Sequence, residues 1–349
     1  MIKFLIFKET EDIRFKKVPT GAKNAISKFL VILILFLTCN RQVLAQQVDL
    51  AISPPLLRTI IKPGKSIMIA YRLINQGDPT IISAKVRPFS ASDNFGNVHI
   101  DPEFSGPIRF SLDNADLEMD KPFFMKTGDS VQLLLHIRVP DGTPNGDYYY
   151  TLLAETSPPP AIEGIGSART KASIGSNILI TVTDSGAVDV KSKIALFDVI
   201  SRFRFNLFGN PIRLVDSTDK ITVVLYVRNF GRNLFTPQGK ITLRGNFGET
   251  ADYDIVPQNV LAGSQRLMTA TPSAELKCRS EACPTPTSLV LSGFFIGQYH
   301  LNAAVNFGEN SPQIFASTSF IALPIKFTVA VLAALIIAVI VIRRLRNDE

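Results

Sequence analysis

The chain has 349 residues, 46% of them hydrophobic, and a formal net charge of +7. Residues 1–45 carry eight Lys/Arg against three Asp/Glu and residues 325–349 carry four against two, so residues 46–324 are neutral. That distribution excludes a strongly basic central region of the kind nucleic acid recruits, and it marks the two ends as membrane-directed segments.

At the N-terminus, Lys23 and Lys28 precede the apolar run Phe29 to Cys39, followed by NRQVLAQQ. Val43 and Ala45 supply the small-residue pattern for cleavage between Ala45 and Gln46, so residues 1–45 are expected to be a signal peptide. An uncleaved N-terminal anchor is the alternative, and it leaves the middle of the chain on the same side. A lipoprotein site at Cys39 is disfavoured because Thr38 stands where a smaller residue is usual.

Next come short β-branched and aromatic runs separated by Gly, Pro and Asn. VDLAI (48–52) leads into Ser53, Pro54 and Pro55; Pro63-Gly64 precedes SIMIAYRLIN (66–75); a turn at Asn75 to Pro79 precedes TIISAKVRPF (80–89). VQLLLHIRV (131–139), YYYTLLAE (148–155) and NILITVTD (177–184) continue the series. Alternating apolar residues such as Ile67, Ile69, Tyr71 and Leu73 place every second side chain on one face, as a half-buried strand requires. A second block repeats the style with runs at 190–200, 220–229, 240–247, 253–261, 287–296, 299–307 and 313–323. No helical periodicity intervenes. The expected fold class is all-β: two tandem immunoglobulin-like β-sandwiches at 46–186 and 187–323, each of ordinary domain size. The stretches around Asn75–Gly77 and Asn229–Gly231 echo one another, with Asn and Gly suited to a tight turn at positive φ.

From Phe327 to Ile342 the chain is apolar but for Thr328, then Arg343, Arg344 and Arg346 follow. With Ile325 and Lys326 this approaches the ~30 Å of bilayer hydrocarbon as a helix, and the arginines read as a cytoplasmic stop. The expectation is a transmembrane helix over 324–342 and a cytoplasmic tail over 343–349, making a single-pass type I protein with its bulk outside the cytoplasm.

Candidate chemistry is sparse. His99, His136 and His300 have no partner at metal-ligand spacing, and no nucleophile elbow or phosphate loop occurs, so no enzyme activity, cofactor or metal is expected. Asp113, Asp116, Glu118 and Asp120 gather oxygens in one loop; a solvated acidic loop and a weak cation site are both compatible with that spacing. Cys278 and Cys283 are expected to pair as a short-loop disulfide in an exported protein. The stretch 197–214 brings Phe197, Phe203, Phe205 and Phe208 beside Arg202, Arg204 and Arg213, a composition that interfaces favour; filling of a core is the competing reading. Tyr149 is expected to point opposite Tyr148 and Tyr150 and to reach solvent or a partner.

Several turn motifs also carry a family likeness. Ser53-Pro54, Pro63-Gly64, Asn75 with Gly77, Thr127-Gly128, Val139-Pro140, and Gly146 with Tyr148 recur in order. Asn229-Phe230-Gly231, Pro237 to Ile241, VLAGSQR (260–266) and Gly297-Gln298-Tyr299 continue them, with Ala262 where Pro is usual. On these residues, 48–323 resembles the cell-surface proteins of Gram-positive bacteria that interact with WxL-domain proteins. The resemblance implies an N-terminal domain that contacts peptidoglycan and a second domain that contacts other surface proteins. Expected partners are therefore the bilayer, cell-wall polymer or another surface protein, and no nucleic acid. An accessory subunit of a membrane-associated secretion or surface-assembly complex is the alternative.

Overall fold

A computed structural model describes residues 47–157, 171–207, 210–271, 287–308 and 311–347. The first half holds β1 (Leu50–Ser53), β2 (Leu56–Ile61), β3 (Ser66–Asn75), β4 (Thr80–Ala91) and β5 (Val98–Ile100). It continues with β6 (Arg109–Leu112), β7 (Pro122–Met125), β8 (Ser130–Arg138), β9 (Gly146–Ser157) and β10 (Ser173–Val182). The second half opens with β11 (Ser192–Ile200), β12 (Phe203–Leu207), β13 (Asn210–Asp216), β14 (Ile221–Asn229), β15 (Gln238–Gly245) and β16 (Thr250–Ile255). It closes with β17 (Gln265–Leu267), β18 (Ala270–Thr271), β19 (Leu289–Leu291), β20 (Gly297–Asn306), β21 (Ile314–Leu323) and the helix α1 (Ile325–Asn347).

Two sheets form the first sandwich, one ordered β1-β3-β8-β6 and the other β2-β10-β9-β4-β5, with β7 also on β4. Alternation makes the core: Tyr71 and Leu73 from β3, Leu133, Leu135 and Ile137 from β8 face Ile82, Leu152, Ile178 and Ile180 from the opposite sheet. Burying each such aliphatic side chain contributes roughly 1.5–3 kcal/mol. The chain crosses between sheets at Pro54 and Pro55, which cannot donate to a ladder; β1 runs antiparallel to β3, whereas β2 runs parallel to β10.

The second sandwich pairs a small sheet, β11-β14-β17 with β19 also on β14, with a larger one, β12-β13-β21-β20-β15-β16-β18. Here again an early strand, β13, lies parallel to the last strand of its sheet, β21. The fold is thus two tandem immunoglobulin-like β-sandwiches followed by one helix. Three local expectations need correction. The strand Thr250–Ile255 overlaps the expected run 253–261 only at 253–255, because Pro257 interrupts the ladder, and only Leu289–Leu291 of 287–296 is strand, with Gly293 at φ 156° beyond it. The segment 56–61, to which the sequence pattern assigns no element, is the strand β2. Finally, Asn75, Gly77, Asn229 and Gly231 do not adopt positive φ.

The two asparagines act through their side chains instead. Asn75 Oδ1 accepts the Gly77 N–H (3.1 Å) and Asn229 Oδ1 accepts the Gly231 N–H (2.8 Å). Each buried amide also donates to carbonyls across its turn, Asn75 to Asp78 and Lys126, Asn229 to Asn233 and Val260. Gly231 is required by close approach: a Cβ there would lie 2.5 Å from the Asp189 carbonyl oxygen.

Only Pro324 separates β21 from α1. Asp216 Oδ2 accepts the Lys326 N–H (2.8 Å), satisfying an orphan donor of the first turn, while Ser217 N–H donates to the Leu323 carbonyl (2.9 Å). Oδ1 of Asp216 accepts from the Thr218 hydroxyl (2.7 Å) and N–H (3.0 Å). These bonds, the Thr218 hydroxyl first, hold the Asp216 pKa down at about 2. α1 is exposed from Lys326 to Arg344, and Ile325–Arg344 is long and apolar enough to cross a membrane. Arg344 and Arg346 in its last turn suit the negative end of the helix dipole.

Candidate functional site: the cleft between the sandwiches

Both sandwiches belong to one compact unit, and β9 supplies the residue that joins them. Asp147 follows the turn-forming Gly146 at the start of β9. Its Oδ1 accepts from Thr181 Oγ1 (2.7 Å) in the first sandwich and Asn233 Nδ2 (2.8 Å) in the second. Its Oδ2 accepts from the Tyr149 hydroxyl (3.0 Å) and closely from the Leu234 N–H. The Asp147 N–H donates to the Arg232 carbonyl (3.2 Å), and Asn233 Oδ1 accepts the Asp189 N–H (2.9 Å). Tyr149 OH in turn accepts the Ala262 N–H (2.9 Å). Burial, reinforced by the adjacent Asp147 charge, raises the phenol's pKa, so it stays a neutral donor.

A small apolar core backs this network. Phe89, Leu179 and Leu234 are buried together, with Tyr149 stacked on Phe89 at 5.7 Å between ring centroids. Beside it opens a cleft of about 280 Å³, lined by Leu56, Phe89, Leu179, Asp93, Asn259 and Arg266 among others. Asp93 is held in its loop by the N–H groups of Phe95 (2.8 Å) and Asn97 (3.1 Å) and by the Asn97 side chain (2.6 Å). That last bond is the main reason its pKa is lowered. Arg266 lies against Gly96, whose φ of 97° and absent Cβ make room for the guanidinium. Its Nη1 donates to the Asn259 carbonyl (2.7 Å), while its Nε is buried without a hydrogen-bond partner. Burial lowers the Arg266 pKa and the Asp93 charge opposes that shift.

The cleft adjoins an open sheet edge. β10 pairs with β2 on one side and β9 on the other, and no strand among the described residues pairs with the outer side of β2. Leu57 and Ile61 face the core, so Leu56, Arg58 and Ile60 face outward, with Leu56 45% and Ile60 56% exposed. The edge therefore offers free main-chain donors and acceptors next to a slot that mixes apolar side chains with polar ones, among them one cation and one carboxylate.

The residues singled out from sequence fall in several places. Phe197, 8% exposed, is part of the second core; its membership in a binding surface is corrected, because β11 turns it inward opposite Leu225. Phe203 (54% exposed) and Phe205 share the outer face of the β12–β13 hairpin, and Arg202 is exposed beside them. Arg204 pairs with Asp198 (2.7 Å), which also takes Arg213. Phe208 lies outside the described residues, as do Cys278, Cys283 and the signal segment 1–45. Tyr149 does point away from Tyr148 and Tyr150, which turn to the first core; burial pushes Tyr150 up to about 12. The acidic loop is dispersed: Asp113 faces His136 (3.5 Å), Glu118 pairs with Lys121 (2.6 Å) and Asp120 with Arg87 (3.2 Å). Among the described residues no group of three or more His, Cys, Asp or Glu is placed to hold a metal. Asn233, Arg266 and β2 carry no local signal in the sequence; Asp147 stands out only as the end of the exposed loop Asp141–Asp147, an acid immediately after a turn glycine.

No family model matches the chain, and no curated protein matches it. Among solved structures it is similar to the class 5 fimbriae chaperone CfaA, at 10% identity and TM-score 0.35 over 79% of this chain and 100% of that one. It is similar to the E. coli chaperone DraB, at 12% identity and TM-score 0.34 over 78% and 97%. The Pseudomonas aeruginosa CupB2 chaperone gives 10% identity and TM-score 0.32 over 75% and 97%. The resemblance to WxL-interacting surface proteins is corrected: no family model matches the chain, and these three solved structures are those of chaperones. The motifs behind that resemblance have a structural cause. Gly64 and Gly128 sit at φ 75° and 81° in turns, and Asn75 and Asn229 cap turns, which is chemistry any such sandwich needs.

Proposed function

We propose that this is a non-enzymatic, membrane-anchored extracytoplasmic protein that holds a segment of another surface protein, as an accessory subunit of a surface-assembly complex. In this reading α1 spans the membrane with Arg343, Arg344 and Arg346 on the cytoplasmic side, and the boundaries 46–186 and 187–323 delimit the two exported domains. The observation that carries it is the unpaired edge of β2 beside the inter-sandwich cleft. An extended peptide adding to that edge gains main-chain hydrogen bonds, and alternate side chains reach Leu56, Phe89 and Leu179. A backbone ladder gives affinity with little sequence preference, which suits a protein that handles several related subunits. Attachment to cell-wall polymer, the other expectation, has no comparable feature behind it: the cleft mixes apolar side chains with Asp93, Asn97, Asn259 and Arg266, and what sets it apart is the unpaired strand edge alongside.

The test is site-specific photocrosslinking in the full-length, membrane-bound protein. Probes at Leu56 and Ile60 are expected to capture a polypeptide, while one at Phe315, exposed on β21, captures none. Crosslinks from Leu56 and Ile60 that carry only glycan, or none at all, would overturn the proposal.

A further inference from the structure

We infer that the base of the second sandwich rests on the bilayer, with exposed loop residues seated in the interface of the leaflet from which α1 emerges. This rests on α1 being the membrane anchor. Strand register places four features at one end of the large sheet. Asp216 of β13 pairs with Leu323, Gly297 of β20 with Ala322, Gly245 of β15 with Tyr299, and Phe203 of β12 with Leu214. The loops following β15 and preceding β20 therefore lie at the end where α1 departs. With Pro324 alone between strand and helix, and the first turn bonded to Asp216, that end is held against the membrane.

The side chains at this end are apolar and point outward. Phe247 is 75% and Phe294 65% exposed, and Ile296, Phe203 and Ile200 are exposed as well. The loops that carry them are pinned. Phe295 turns inward to meet Tyr299 edge-on at 5.3 Å, and its N–H donates to the Ser217 carbonyl (3.0 Å). Its neighbours Phe294 and Ile296 consequently face out. Phe247 lies over Gly297, where a Cβ would come within 3.2 Å of its ring. Exposed phenylalanines held in place cost solubility unless covered, and the lipid interface is the apolar medium this end already meets. The charges agree. Arg202, Lys220 and Lys326 line one hollow at the helix exit, at the level of lipid headgroups. Of the nearby acids, Asp216 lines the same hollow and is taken up by the Thr218 hydroxyl and the Lys326 N–H, Asp219 pairs with Lys326, and Glu249 accepts from Tyr299 OH (3.1 Å) and the Phe247 N–H (3.2 Å).

The chain has no tryptophan, so single Trp substitutions are clean reporters. Full-length F247W, F294W, F315W and L335W would be reconstituted in phosphatidylcholine/phosphatidylglycerol vesicles with brominated acyl chains. The expected result is loss of most emission for L335W, clear quenching with a blue shift for F247W and F294W, and no lipid quenching for F315W. Quenching of L335W but not of F247W or F294W, with both open to aqueous acrylamide, overturns the inference and leaves the anchor intact. Shielding of F247W and F294W from lipid and acrylamide alike also overturns it, since protein then covers the base. If L335W escapes quenching, the anchor reading fails and this inference falls with it.

Discussion

Two aspartates join this molecule's parts, and they do so unequally. Asp147 links the two sandwiches by accepting from Thr181, Tyr149, Asn233 and the Leu234 N–H, with Phe89, Leu179 and Leu234 packed beside it. Asp216 links the second sandwich to α1 by accepting from Thr218 twice and from the Lys326 N–H, with no separate buried apolar cluster at that joint among the described residues. The same side chain serves both joints, yet the surroundings differ. At the upper joint Asp147 is itself only half-buried, but its donors Thr181, Asn233 and Leu234 belong to buried residues, so a donor left without its acceptor bears much of its desolvation cost. At the lower joint covalent continuity through Pro324 does most of the holding, and the carboxylate sets the angle and the charge at the helix start.

The largest effect is expected at the upper joint. Asp147→Ala strands four donors at the interface and is expected to destabilise the protein by roughly 2–4 kcal/mol. Calorimetry of the detergent-solubilised full chain should then resolve two transitions where the wild type shows one; a single unshifted transition would break the contrast between the joints. Tyr149→Phe keeps the ring on Phe89 but removes the acceptor for Ala262 N–H and the donor to Asp147, a loss of about 1–2 kcal/mol by the same measurement.

The smallest effect belongs to the lower joint and depends on pH. The Asp216 carboxyl is depressed from 3.8 to about 2, so its contribution is fully present above the unfolded value and fades as pH falls through about 2. After correction for intrinsic rates, amide exchange at Lys326 should accelerate between those two values in the wild type and remain flat in Asp216→Asn. Equal pH dependence in both would show that the carboxylate does not govern the start of α1.

Much of the fold was legible from local pattern. Ser66–Asn75 and Ser130–Arg138 alternate so strictly that strand and buried face follow directly, and the run after Pro324 could only be a long apolar helix. The candidate site was far less visible. β2 contains Arg58 and pairs with Asn177–Val182, so nothing near it in sequence announces its partner. The stretch 197–214 shows the same limit, since composition groups Phe197 with Phe203 while the chain buries one and exposes the other.

What the residues determine alone is therefore the strand periodicity, the two-block all-β plan and the apolar C-terminal helix, because each depends on neighbours a few positions away. Only the tertiary structure decided that β2 leaves an open edge, that Asp147 meets Asn233 and Leu234, and that Phe247 and Phe294 gather where α1 departs. Those outcomes come from parallel pairing and sheet-on-sheet packing between segments far apart in the chain. Their free energy appears only once both partners are in place.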